Sequence, residues 1–194
     1  SISEKIRSTE KFREKFNKIF QSEIGEYKVA VKGNKVVSEI AIPFYGRYGL
    51  LNFLEIDFQS EEFPEFPKIQ NPVEYTGLVV DARHLSGEAS LLPRISTENG
   101  LEIYSPELVS KNYAIDQGYV LFQSDPVVAM KHKRAGTNPY FVYALTARGH
   151  YKTDFSIPSS DAVKILGNKK TVEHLKKCKV IIVKNFEKLN QKKP

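Results

Sequence analysis

Between Ser3 and Glu23 the apolar residues Ile6, Phe12, Phe16, Ile19 and Phe20 recur at spacings that place them on one face of a helix, with Gly25 as its stop. The period then changes. Tyr27, Val29 and Val31 alternate, Gly33-Asn34 supplies a tight turn, and Val36, Ser38, Ile40, Ile42 and Phe44 alternate again, which predicts a β-hairpin. Gly46 to Leu54 reads as a short helical or irregular capping segment. Pro64, Pro67 and Pro72 then punctuate the stretch 61–72, which is the linker candidate.

A second unit opens with Tyr75 to Asp81, a strand apolar enough to be buried on both faces. Leu91 to Ile95 and Leu101 to Tyr104 flank Thr97-Glu98-Asn99-Gly100, where Asn-Gly signals a hairpin turn. Ser105-Pro106-Glu107 opens a brief helix, and Tyr119 to Phe122 reads as a strand. Ser124-Asp125-Pro126 caps a helix predicted to end near Gly136. Phe141, Tyr143 and Leu145 alternate in a long strand, and another runs from Lys152 to Ile157. Ser159-Ser160-Asp161 caps a helix through Leu166, Thr171 to Lys177 gives a last helical turn or two, and Val180 to Val183 a terminal strand. Strands and helices interleave, several strands being joined by hairpins rather than crossovers, so the predicted class is α+β. The organisation expected is a helix and β-hairpin subdomain (1–60), a Pro-rich linker (61–72), a mixed-sheet α+β domain (73–185) and a Lys-rich tail (186–194).

Composition bounds what this pattern can be. With 194 residues, 12 Phe and 10 Tyr, the chain can bury a core without staples, and disorder is not its main state. No run of about 20 apolar residues exists to span a bilayer. The single cysteine, Cys178, excludes an intramolecular disulfide and any multi-cysteine metal site, and its neighbours Val180 to Val183 mark it as buried. The chain begins at Ser1 with neither Met nor an apolar leader, which reads as a processed or trimmed product.

Motifs that carry chemistry are mostly absent from the sequence. The four histidines, at 84, 132, 150 and 174, form no HExxH and no i, i+4 pair, and no nucleophile elbow, phosphate loop or dinucleotide fingerprint is present. Gly46-Arg47-Tyr48-Gly49 lacks the lysine of a phosphate loop. Asp81-Ala82-Arg83-His84, at the end of an apolar strand, is the most enzyme-like group. Asp and Arg two apart on a strand point the same way, however, and an ion pair that locks a turn is the preferred reading because no partner base or nucleophile accompanies them. Cys178 with His174 four residues earlier is weaker still as a nucleophile pair. No enzyme activity, cofactor or metal is expected.

Charge is uneven within a net of +6: ten lysines lie in 164–194, whereas Glu55 to Glu65 holds five acids and no base. Nucleic-acid binding is not expected, because the lysines lack interleaved arginine and aromatic residues. The opposed stretches suit head-to-tail self-association.

The stretch Tyr75-Thr76-Gly77-Leu78-Val79-Val80-Asp81-Ala82-Arg83 carries a family likeness, continued by Leu92-Pro93-Arg94-Ile95, Glu98 and Gly100 of the turn, and Glu102-Ile103-Tyr104. It resumes at Asp125-Pro126, Gly136-Thr137-Asn138-Pro139, Ser160-Asp161-Ala162 and Cys178 to Val183, and upstream at Asn34 to Gly46. The whole resembles bacterial envelope proteins related to the Helicobacter-type small surface lipoproteins and the flagellar basal-disk lipoproteins, through a Thr-Gly-x-x-x-Asp-Ala-Arg core. His84-Leu85 departs from the glycine and leucine more usual there. The resemblance implies a non-catalytic component of the periplasm or outer-membrane periphery, in several relatives tied to flagella and motility. Its partners would be other envelope or flagellar proteins, and it would meet a membrane only through a lipid anchor outside this sequence. Tyr75, Thr76, Gly77, Asp81, Ala82, Arg83, Pro93 and Arg94 are the motif residues, their role structural or ligand-binding. The first helix and the Phe-rich stretch of Phe58, Phe63 and Phe66 are candidate contact elements, or else simply cover the sheet. The alternative function is a small-ligand or cell-wall-glycan binding module, its cleft lying between the two units near Tyr75, Asp81 and Arg83.

Overall fold

Glu26–Lys32 (β1) and Lys35–Ala41 (β2) pair antiparallel about Gly33-Asn34, with Val31 opposite Val36 and Val29 opposite Ser38. The turn needs a left-handed residue, which Gly33 supplies at φ 63°. Alternation puts Val29, Val31 and Val36 on one face, and they are 57, 73 and 71% exposed. Leu50–Phe53 (α1) follows, begun by Leu50 N–H donating to Pro43 O and Leu51 N–H to Phe44 O. The computed structural model describes residues 14, 17, 26–46, 49–54, 56–66 and 69–185. The predicted first helix lies outside the described residues except for Glu14 and Asn17, both helical and exposed, and the Lys-rich tail lies outside them entirely. The chain divides into two compact units, residues 1–55 with 115–117, and residues 56–114 with 118–194. The stretch 61–72 therefore falls within the larger unit, where Phe63 is buried and Glu61 N–H donates to Glu107 O.

The larger unit is built on two four-stranded sheets. Its strands are Gly77–Asp81 (β3), Ile95–Thr97 (β4), Glu102–Tyr104 (β5), Leu121–Gln123 (β6), Pro139–Tyr143 (β7), Thr146–Arg148 (β8), Asp154–Ile157 (β9) and Val180–Val183 (β10). One sheet has the order β6-β10-β3-β7 and is parallel throughout. The other, β5-β4-β9-β8, is mixed: β4 runs parallel to β9, while β5 and β8 are antiparallel edges. Parallel neighbours cannot be joined by a tight turn, so the first sheet is linked by crossovers and only the second uses the predicted hairpins. A parallel sheet buried on both faces demands continuous apolar strands. That is why Leu78, Val79 and Val80 of β3 and all four residues of β10 are fully buried. The architecture is α+β.

The helices are Lys111–Gln117 (α2), Pro126–Lys131 (α3), Ser159–Leu166 (α4) and Lys169–Lys176 (α5). Helix α3 is capped by the Asp125 carboxylate and contributes Ala129 to a cluster with Val79, Ala135, Ile181 and Val183. Tyr140, which alternation turns to the other face of the sheet, donates its hydroxyl to Asp161 of α4 at 2.6 Å. Helix α2 has no counterpart in the sequence reading. Two other differences have local causes. Helix α3 stops at Lys131 rather than near Gly136, because His132 turns extended and tight turns through Ala135 and Gly136 follow. The strand expected to run through Leu145 ends at Tyr143: Ala144 N–H donates to Asp81 O of one sheet and Leu145 N–H to Ser156 O of the other. The alternating pattern is real, but the chain changes sheets within it.

Candidate functional site

The motif residues occupy both ends of β3. At its start Thr76 is clamped by the segment before β7: its N–H donates to Asn138 O, its hydroxyl to Ala135 O at 2.8 Å, and Asn138 N–H donates back to that hydroxyl at 2.9 Å. Gly77 lies so close that a Cβ there would stand 2.7 Å from Ala135 O and 3.0 Å from Lys179 O, both backbone atoms. Gly136, at φ 76°, leaves no more room, since a Cβ on it would strike the Thr76 side chain. The Thr-Gly pair and Gly136-Thr137-Asn138-Pro139, distant in sequence, thus form one interlock. Tyr75 stacks edge-on against Tyr140, ring centroids 4.7 Å apart, and its N–H donates to the Thr171 hydroxyl.

At the far end of β3, Asp81 is 1% exposed and accepts from Arg83 through four hydrogen bonds: the backbone N–H, two from Nε, and Nη2 at 2.7 Å. Burial opposes ionisation of Asp81, but the hydrogen bonds and charge of Arg83 outweigh it and hold the carboxyl below its usual range. Ala82 N–H donates to Val183 O, so the turn continues the ladder with β10 before leaving it. Lys184, also buried, donates from Nζ to Leu85 O and lies 5.6 Å over the Phe155 ring. His84 is exposed. Tyr75 precedes β3 and Asp81 ends it, so the two stand at opposite ends of the strand.

Pro93 is buried, and Arg94 enters β4 with its backbone tied to β9: its N–H donates to Asp154 Oδ1, and its carbonyl accepts from Phe155 N–H. Its guanidinium forks between two carboxylates, Nη1 to Glu102 Oε2 at 2.7 Å and Nη2 to Glu107 Oε1 at 2.6 Å. Burial would raise the Glu107 pKa, yet the Arg94 hydrogen bond and charge more than offset it, leaving the carboxyl below its ordinary value. This group stands in a cleft of about 490 Å³ whose walls also carry Glu61 and Glu62. The sequence reading included Arg94 and Glu102 but not Glu107 as its partner, because the fork depends on how the turn after β5 folds back.

Of the candidate contact residues, Phe63 is buried and Phe66 half-buried, which favours the reading in which they cover the body of the unit. Cys178 is buried, and that burial pushes its thiol up to about 11, so it is protonated at neutral pH. Its carbonyl and that of Gly118 both accept from Arg134 Nη1, a clamp on the entries to β10 and β6 that no sequence motif signals. Among the described residues no group of three or more His, Cys, Asp or Glu side chains could hold a metal ion, and none of their helices is long and apolar enough to cross a membrane.

No curated protein matches the chain. A family model does, and it covers the motif strand, both sheets of the larger unit and helices α2 to α5, across residues 77–186. With that match over the greater part of its length, the chain belongs to the family of the second domain of Treponema pallidum Tp0624.

Proposed function

We propose that the chain is a non-catalytic assembly component of a bacterial envelope, acting through protein–protein contacts in or next to the motility apparatus. The observation that carries this reading is that the motif's polar groups are spent on the fold: Asp81 and Arg83 on each other, Thr76 on the segment before β7, and Arg94 on two carboxylates. A general base or nucleophile needs a free, accessible atom, and these do not offer one. What the described residues do offer is surface. The Val29, Val31 and Val36 face of the hairpin is solvent-exposed, and a two-stranded ribbon is marginal by itself, so such a face suits a partner. The association with envelope and flagella comes from the resemblance of residues 27–185 to basal-disk and Helicobacter-type lipoproteins, and membership of a Treponema family is compatible with it. The periplasm or outer-membrane periphery is the corresponding location.

The test is a clean deletion strain complemented from a plasmid, scored for swimming speed and by electron microscopy of its flagella. Slowed or lost swimming with misassembled or misplaced flagella is the expected outcome, and complementation by a Val29, Val31 and Val36 to Ser variant should fail. Normal swimming with normal flagella would remove the motility role.

A further inference from the structure

The parallel sheet ends on β7, and among the described residues no strand pairs with its outer edge. The ladder fixes which backbone groups point that way. Thr76 N–H donates to Asn138 O and Ala144 N–H to Asp81 O, so the even-numbered residues of β7 turn their backbone toward β3. The N–H and C=O of Phe141 and Tyr143 and the C=O of Pro139 therefore face outward, and no hydrogen bond among the described residues uses them. An open row of this kind is a template for another strand, and folded proteins blunt it with charge, a bulge, brevity or a covering element. The other three edges of the two sheets are blunted: β5, β6 and β8 have three residues each, and β5 and β8 carry Glu102 and Arg148. Strand β7 has five residues, pairs with β3 in unbroken register and contains no charged side chain. Its proline stands at the first position, where a ladder tolerates one. Pro139, Phe141 and Tyr143 share a face. The Phe141 and Tyr143 rings meet edge to face with centroids 5.2 Å apart, and Tyr143 is 60% exposed.

A second copy of the chain fits this edge. A two-fold axis through Phe141 sets two β7 strands antiparallel, with 141 opposite 141, 140 opposite 142 and 139 opposite 143. Phe141 N–H of each copy then donates to Phe141 O of the other, and Tyr143 N–H to Pro139 O, so the strand's own acceptors satisfy both of its free donors. The N–H that Pro139 lacks falls at the end of the ladder, where its loss costs least. Because the strand is uncharged, no like charges meet across the axis. The two Phe141 residues meet at the axis with Cα atoms about 5.5 Å apart, and the exposed Tyr143 ring comes over Pro139 of the second copy. We propose that the chain self-associates through β7 as a two-fold dimer, which joins two four-stranded sheets into one continuous sheet with the two β7 strands at its centre. This surface is separate from the hairpin face assigned above to an envelope partner. Five residues a side fall well short of the about 20–30 of a standard stable interface, so the dimer forms at about 10–100 μM.

Sedimentation equilibrium of the full chain over about 1–500 μM brackets that range, and amide hydrogen exchange read by NMR locates the contact. The expected result is a monomer–dimer equilibrium in which the Phe141 and Tyr143 amides exchange about fivefold more slowly at the highest concentration than at the lowest. Tyr143→Pro removes an N–H that the monomer leaves unused, together with both Tyr143 bonds between the copies, and should weaken association about tenfold or more at an unchanged melting temperature. Tyr143→Lys is the second variant. The side chain it replaces is already exposed, so the fold is retained, while a lysine on the edge opposes pairing and should also weaken the dimer about tenfold. Val29→Ser, Val31→Ser and Val36→Ser together should leave the dimer intact. A monomer at every concentration, exchange at Phe141 and Tyr143 that does not depend on concentration, association unchanged by Tyr143→Lys, or loss of the dimer in the hairpin variant would overturn the inference.

Discussion

Replacing Gly77 by alanine should destabilise the larger unit through a steric conflict that no side-chain rotation can relieve. The new Cβ would stand 2.7 Å from Ala135 O and 3.0 Å from both Ala135 Cα and Lys179 O, where ordinary contact begins at 3.4 Å. All three atoms belong to backbone, from the segments that lead into β7 and β10, so relief requires the central strand and both of its neighbours to separate. Overpacking of this kind costs about 1–3 kcal/mol. The loss of glycine's freedom in the unfolded chain returns about 0.4–1 kcal/mol. A net destabilisation of about 1–2 kcal/mol corresponds to a fall in melting temperature of about 3–6 °C for a chain of this size. Circular dichroism melts and urea unfolding of the wild type and Gly77→Ala measure it. Gly100→Asn is the contrast: a Cβ there meets nothing within 4 Å, so its cost is confined to a side chain at φ 88°, which asparagine bears better than most residues, and its melt should fall by less than that of Gly77→Ala. A Gly77→Ala melt within about 1 °C of wild type would refute the claim that the motif glycine exists for close backbone approach.

Acid should weaken the fold through Asp81. Its native carboxyl is held below the usual range, so the stability it contributes is full above the unfolded value of about 4 and is lost as pH falls through the lowered native value. The urea midpoint should therefore drop between pH 5 and pH 3, by less in Asp81→Asn than in the wild type, and equal drops would show that Asp81 is not the group responsible. Cys178, buried and protonated at neutral pH, should resist Ellman's reagent in the native protein and react at once in urea, with fast native reaction counting against its burial. Phe63→Ala should cost about 3 kcal/mol of stability, read from urea unfolding, because Phe63 is a core side chain. It should leave capture of envelope partners intact, whereas lost capture at unchanged stability would make Phe63 a contact residue instead.

Local sequence determined the parts whose signals are local. The Gly33-Asn34 and Asn99-Gly100 turns, the apolar runs of β3 and β10, and the Asp125 cap of α3 follow from backbone preference, period and hydrogen-bonding chemistry within a few residues, and each stands where the sequence places it. The Asp81–Arg83 pair was legible for the same reason, since residues two apart on a strand share a face. Tertiary structure decided what depends on residues far apart in the chain. The parallel order β6-β10-β3-β7 is invisible to periodicity, because an apolar run states that a strand is buried and not which strand lies beside it. The Phe141 to Leu145 alternation passes from one sheet to the other without any change in pattern, as only the partners of Ala144 and Leu145 differ. The fork at Arg94 needs Glu102 and Glu107 brought onto one guanidinium, and no spacing in the sequence encodes that encounter.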